Sequence, residues 1–256
     1  MTVTYRKEEG VGIITMDDGK ANAVSPQLLH GLHAAVDQAV ADDVVLVIEG
    51  RPGMFSAGFH MPTLNAKGPE ATAMLTSGFQ LVEKLLNYPK PVVTACGGHA
   101  VAMGMFLLLC GDHRVGAAGA FKIVANEVAI GLTMPRTAVE LCRLRLTTPA
   151  FQRSMLISAP FTPETALLAG HVTELVAPED VSATAIATAK QLCALNMTAF
   201  RGTKARVNGD ALRALGSRGG SGQRGVRGAL RLRAWSRARC HTRAARTWRC
   251  AWVGRA

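Results

Sequence analysis

Two continuous apolar runs, Val44 to Glu49 (VVLVIE) and Pro91 to Cys96 (PVVTAC), restrict this chain more than any other feature. Neither alternates apolar with polar residues, so a strand built from either must be covered on both faces. That is the condition of a parallel sheet flanked by helices. The intervening segments fit this arrangement. Thr2 to Tyr5 and Val11 to Met16 read as two short strands around a Glu-Gly turn, and Pro26 opens an amphipathic stretch that runs to Asp42. A Gly/Pro-punctuated loop follows from Arg51, then a helix over 69–87. Gly97 and Gly98 break the chain before an apolar helix ending at Cys110, and His113 to Ala117 is the next strand.

The alternation continues with a short extended piece at Phe121 to Val124, helices over 149–158 and 163–169, a last strand at Val172 to Val176 and a helix over 178–195. Strand, helix and strand in this order predict an α/β fold with parallel pairing and crossover helices. Residues 1–200 are expected to form one core, and 201–215 to begin a C-terminal helical region.

Charge is distributed unevenly. The chain carries 29 basic and 18 acidic residues, and eleven of the basic ones are arginines that follow Gly216, where no acid occurs. The body is therefore formally neutral, which removes the basic surface that nucleic-acid binding requires. Segment 216–256 is an Arg-rich tail holding all three tryptophans. We read it as a hypothetical out-of-frame translation of GC-rich sequence, the rival being a basic arm for nucleic acid or anionic lipid. An uninterrupted authentic frame through codon 216 would reject the first reading. Six cysteines without a C-x-x-C pair, and acidic residues where a signal peptide would be apolar, predict reduced thiols and a cytoplasmic location. The apolar stretch from Ala100 to Cys110 is about half of what a membrane span needs, so no span is expected.

Two turns could present free backbone amides to a ligand: Phe55 to His60 after a strand, and Cys96 to Gly104 at a strand-to-helix transition. Small residues there let a ligand approach the main chain, and two converging N–H groups would polarise a carbonyl oxygen. Taken singly, such turns occur in every α/β fold. Glu127 is flanked by Val124, Ala125, Val128, Ala129 and Ile130. Apolar flanks raise a carboxyl pKa and suit it to proton transfer near neutral pH, whereas a surface glutamate would have polar neighbours. A serine-hydrolase elbow, a P-loop and a dinucleotide-binding glycine fingerprint are all lacking.

The runs MDDGKANAV, FSAGFHM, PKPVVTACGGHAVAMG with CGDHRVGAA, and ANEVAIGLTMP resemble, in this order and spacing, the landmarks of the crotonase superfamily, the enoyl-CoA hydratase/isomerase family. The resemblance covers residues 11 to about 200. It implies a spiral of repeated ββα units, assembly as a homotrimer or hexamer, an acyl-CoA thioester as partner and no metal or redox cofactor, coenzyme A being part of the substrate. By position, it implies that the Phe59 and Met103 amides form an oxyanion hole. It places Lys20, Ala21 and Ala23 at the CoA moiety, with Ser56, Ala57, Gly58, His60 and Met61 lining the same groove and Gly104 and Phe106 beside the acyl chain. Hydratases of the family use two glutamates; here Phe106 stands at the first position and Glu127 at the second. One glutamate suffices for isomerisation of a 3-enoyl to a 2-enoyl thioester, and this reaction is expected ahead of hydration. A non-catalytic acyl-CoA-binding protein on the same scaffold is the alternative.

Overall fold

The computed structural model describes residues 2–216, and the tail 217–256 lies outside the described residues. The chain begins with an antiparallel hairpin, β1 (Val3–Glu8) and β2 (Val11–Met16), followed by α1 (Pro26–Ala41). Ser25 caps α1 by accepting from the Leu28 amide, and Pro26 occupies the first turn, where a missing N–H removes no helical hydrogen bond. The next unit comprises β3 (Val45–Glu49), β4 (Gly53–Ser56), α2 (Met61–Ala66) and α3 (Pro69–Leu86). It is repeated by β5 (Val92–Cys96), β6 (Gly98–Val101) and α4 (Met103–Leu109), and again by β7 (His113–Ala117), β8 (Ile123–Val124) and α5 (Arg136–Arg145).

In each repeat the first strand joins one sheet and the second joins another. The larger sheet has the order β1-β2-β3-β5-β7, closed by β9 (Glu174–Val176), and is parallel from β2 onward. The smaller sheet is β4-β6-β8, also parallel. This is the expected ββα spiral. Every residue of β3 and β5 is buried, as their unbroken apolar runs require. One face of the large sheet packs on α8 (Val181–Leu192) through Val45, Val47, Val93 and Ala185. The larger core lies on the other face, around α1, α3 and α4.

Several segments depart from the sequence expectation. Residues from Arg51 contain β4 as well as loop, and β6 precedes the apolar helix, which starts only at Met103. Both strands have four residues, too few for either apolar pattern to declare itself. Helix α5, with Arg136, Glu140, Arg143 and Arg145, also escapes the pattern reading because it buries only Ala138, Leu141 and Cys142. The helices over 149–158 and 163–169 are present as α6 (Thr148–Ile157) and α7 (Pro163–Ala169).

Helix α9 (Met197–Val207) runs continuously through residue 200 and is followed by α10 (Gly209–Gly216). A buried ion pair holds α9 to the body, Lys204 Nζ lying 2.6 Å from Asp112 Oδ2. Asp112 also accepts from the Val92 amide at 2.9 Å, so one carboxylate joins β5, the start of β7 and the C-terminal helices. Lys204→Ala is expected to lower stability by about 2 kcal/mol, because Asp112 then keeps the Val92 amide but only the longer Arg145 contact as a charge partner. In a urea melt this appears as a lower midpoint with unchanged slope; an unchanged midpoint would reject the assignment.

Candidate active site

Strand β4 brings Ser56 and the following loop against the start of α4. The approach is close enough to require glycine on both sides. A Cβ at Gly104 would lie 2.3 Å from the Ser56 carbonyl oxygen, and one at Gly58 would lie 2.8 Å from the Val101 carbonyl oxygen and 3.4 Å from the Met103 nitrogen. Gly58 also has φ +88°, a left-handed conformation that glycine adopts freely. Ala102 takes φ +50° without being glycine, a local strain at the turn from β6 into α4.

Hydrogen bonds fix which amides this junction leaves free. The Val24 amide donates to the Gly58 carbonyl at 2.8 Å and the His60 amide donates to the Val24 carbonyl at 3.1 Å. In an extended chain this turns the N–H of Phe59, between them, away from Val24. Met103 is the first residue of α4, so its N–H has no acceptor within the helix. Among the described residues, the Phe59 and Met103 amides take part in none of the loop and turn hydrogen bonds.

Beside them lies a cavity of about 150 Å³ whose walls include Phe59, Leu75, Phe79, Ala102, Leu132 and Glu127. Among the described residues, Glu127 is its only ionisable lining residue. Its side chain follows β8, and its carbonyl accepts from the Ile130 and Leu132 amides, closing a tight turn around 128–132. The residue is 8% exposed, and its Oε2 has no hydrogen-bond partner. Burial pushes the carboxyl up to about 7. Asn126 also lines the cavity with a buried, unpartnered Oδ1. Two unpaired polar atoms on an otherwise apolar wall are costly to a fold and mark a place where a ligand supplies the partner.

The other residues singled out in the sequence divide. Ala57 and Met61 line the cavity with Phe59 and Glu127. Ala23 and His60 line a second, more open hollow of about 410 Å³, where His60 Nδ1 is 2.9 Å from Thr63 Oγ1. Lys20 and Ala21 line neither: Lys20 is exposed, its carbonyl accepts from Arg51, and the Ala21 carbonyl accepts from the Ala57 amide. Ser56 is buried; its Oγ donates to the Asn22 carbonyl at 2.7 Å and accepts from the Gly58 amide. Gly104 faces Ser56, and Phe106 is buried behind Phe79 at a 6.4 Å ring separation. Gly104 and Phe106 are therefore in contact with Ser56 and Phe79 and are not among the residues that line the cavity.

Sequence reasoning overlooked Asn22, although it stands among the residues it selected. Asn22 is fully buried at φ +49°, and its amide group donates to the Met16 and Phe55 carbonyls while accepting from Asp18. It ties the 17–24 loop to β4. An asparagine beside a glycine turn is the available signal, since asparagine tolerates left-handed φ and bonds nearby backbone. Phe79 and Leu75 were also hidden, as two apolar positions in a helix full of them.

The enoyl-CoA hydratase/isomerase family model matches residues 6–218. The chain belongs to this family. A probable enoyl-CoA hydratase of Mycobacterium avium is 31% identical over 207 residues, covering 79% of each chain. A Mycobacterium tuberculosis protein, described as an enoyl-CoA isomerase in one structure and as a probable enoyl-CoA hydratase in another, is 46% identical in the first, with a TM-score of 0.81 over 90% of this chain and 97% of that one. The enoyl-CoA hydratase of Mycobacterium marinum is 44% identical, with a TM-score of 0.82 over 90% and 98%. Family relatives of similar identity thus carry either activity in their names. Among the described residues, no helix is long and apolar enough to cross a membrane, and no three His, Cys, Asp or Glu side chains gather as a metal site.

Proposed function

We propose that this enzyme isomerises 3-enoyl-CoA thioesters to 2-enoyl-CoA thioesters, with Glu127 as the single proton shuttle. The observation that carries this reading is one buried carboxylate with an unpartnered Oε2 in an apolar cavity, unaccompanied among the described residues by a second ionisable group. The Phe59 and Met103 amides bind the thioester oxygen. The Glu127 carboxylate removes a proton from C2, the electron pair delocalises through the dienolate onto that oxygen, and the same carboxyl returns the proton at C4. No redox or metal chemistry is required, and coenzyme A enters with the substrate. The apolar walls exclude water, which strengthens the amide contacts and protects the dienolate.

The mechanism starts from the ionised carboxylate. Because burial pushes Glu127 up to about 7, kcat is expected to rise with pH and reach half its plateau near that value. A profile flat from pH 5.5 to 9 would remove Glu127 as the base. One observation favours hydration as a second reading: Asn126 Oδ1, buried and unpartnered, could hold a water beside Glu127. Assays with 3-enoyl-CoA and 2-enoyl-CoA, beside acyl-CoA titration, separate the readings. Faster turnover of the 3-enoyl substrate supports isomerisation, faster hydration of the 2-enoyl substrate replaces it, and binding without turnover reduces the protein to an acyl-CoA binder.

A further inference from the structure

Gly78 lies in the middle of α3, buried, where glycine is unfavourable to a helix by about 1 kcal/mol relative to alanine. Its conformation is ordinary helix, so backbone freedom does not account for it. Space does. A Cβ at position 78 would meet Cε1 and Cζ of the Phe59 ring, each at 2.7 Å, and Cε of Met103 at 3.4 Å. The side chains of the two residues whose amides the proposed mechanism uses therefore converge on one notch in one helix. The Phe59 ring is further held against Phe79, with ring centroids 6.3 Å apart. Met103 is fully buried.

We propose that Gly78 is a positioning residue that sets the separation of the two oxyanion-binding amides by seating the Phe59 ring and the Met103 thioether. This rests on the reading of those amides given above. Phe59 belongs to a loop whose neighbours are bonded to Val24, and Met103 begins a helix on a different repeat. Nothing covalent fixes one relative to the other; α3 is the element that both side chains touch. A methyl group in the notch would drive the ring tip outward, rotating the Phe59 segment relative to Met103. Donor placement to within a fraction of an ångström matters more for the developing enolate than for the ground-state thioester.

The test is a size exchange. Gly78→Ala overfills the notch, and Phe59→Leu, which retains the backbone amide, empties it. Each single variant is expected to lower kcat about tenfold, with acyl-CoA affinity changed less than kcat. The double variant, with the methyl filling the space the ring vacates, is expected within about threefold of the original enzyme. Thermal melts accompany the kinetics, since a merely structural glycine would move stability and kcat together. A Gly78→Ala enzyme with unaltered kcat overturns the proposal, as does a double variant as slow as the two losses multiplied. If Gly78→Ala fails to fold, the comparison is Phe59→Leu against the double variant, which must be the faster of the two; equal or slower rates overturn the proposal. A spectroscopic readout separates this from failure of the isomerase reading. The absorption of a bound conjugated arylacryloyl-CoA shifts to the red as its thioester carbonyl is polarised, whatever reaction the enzyme performs. The shift should shrink in both single variants and return in the double variant; a shift identical in all four proteins overturns the proposal even where turnover is lost.

Discussion

Glu127→Gln is expected to lower kcat for 3-enoyl-CoA by about a thousandfold while leaving acyl-CoA affinity within about twofold. Glutamine keeps the volume and polarity of the side chain but has no proton to exchange, so the loss isolates proton transfer from packing. The same substitution should have a signature in stability. The folded protein holds the Glu127 proton up to about 7, whereas an unfolded chain releases it near the ordinary glutamate value of 4.5. Between those values the folded state binds more protons, so this group's contribution falls as pH rises, and above 7 the full penalty of a buried charge remains. The gap corresponds to about 3 kcal/mol. Glu127→Gln should therefore melt higher than the original protein at pH 8, and that advantage should shrink as pH falls and vanish below 4.5, where the glutamate is neutral in both the folded and the unfolded state. An inactive variant whose stability difference ignores pH would show that the carboxyl is not the buried group described here. Full activity in the variant would end the proton-shuttle assignment altogether.

The parts of this site that could be read in the sequence are those that local chemistry imposes. Glu127 stands among apolar residues and is buried, although Val128, Ala129 and Ile130 beside it are exposed, so its cover comes from other elements of the cavity wall. The runs in β3 and β5 announce a sheet covered on both faces, and both strands are fully buried. Glycines at 58 and 104, expected to let a ligand approach the main chain, stand where β4 and the start of α4 pass closely, at short distances from Val101 and Ser56. What could not be read depends on which distant segment supplies the other side of a contact. Gly104 and Phe106 lie on α4 close to Met103, yet neither is among the residues that line the cavity, Gly104 meeting Ser56 and Phe106 lying behind Phe79. Leu75 and Phe79 form cavity wall solely because α3 crosses the loop after β4. Gly78 is one glycine in an otherwise regular helix, and its partners come from the loop after β4 in its own repeat and from α4 in the next. The strands of the smaller sheet are too short for their residues to announce them, although that sheet carries the loop on which the site is built.

Gly104→Ala is expected to reduce turnover about a hundredfold and to lower stability by roughly 1–3 kcal/mol. The added methyl would stand 2.3 Å from the Ser56 carbonyl oxygen and 2.8 Å from Ser56 Cβ, distances that backbone cannot absorb by a rotamer change. Relief requires β4 to move away from α4. Ser56 holds the Gly58 amide and the Asn22 carbonyl through its hydroxyl, so displacement carries with it the turn that presents Phe59 and the 17–24 loop. The amide of Met103, on the other side of the junction, does not follow. Activity should thus fall further than the stability loss alone predicts, since the small sheet is pried open where the two amides meet. Ser56→Ala in the same chain removes Oγ but leaves the carbonyl in place, and it should not restore activity. Kinetics at a temperature where circular dichroism shows the variant fully folded provide the measurement. Recovery through Ser56→Ala would mean that the clash is with the side chain, and normal turnover in Gly104→Ala would mean that β4 and α4 do not jointly position the donors.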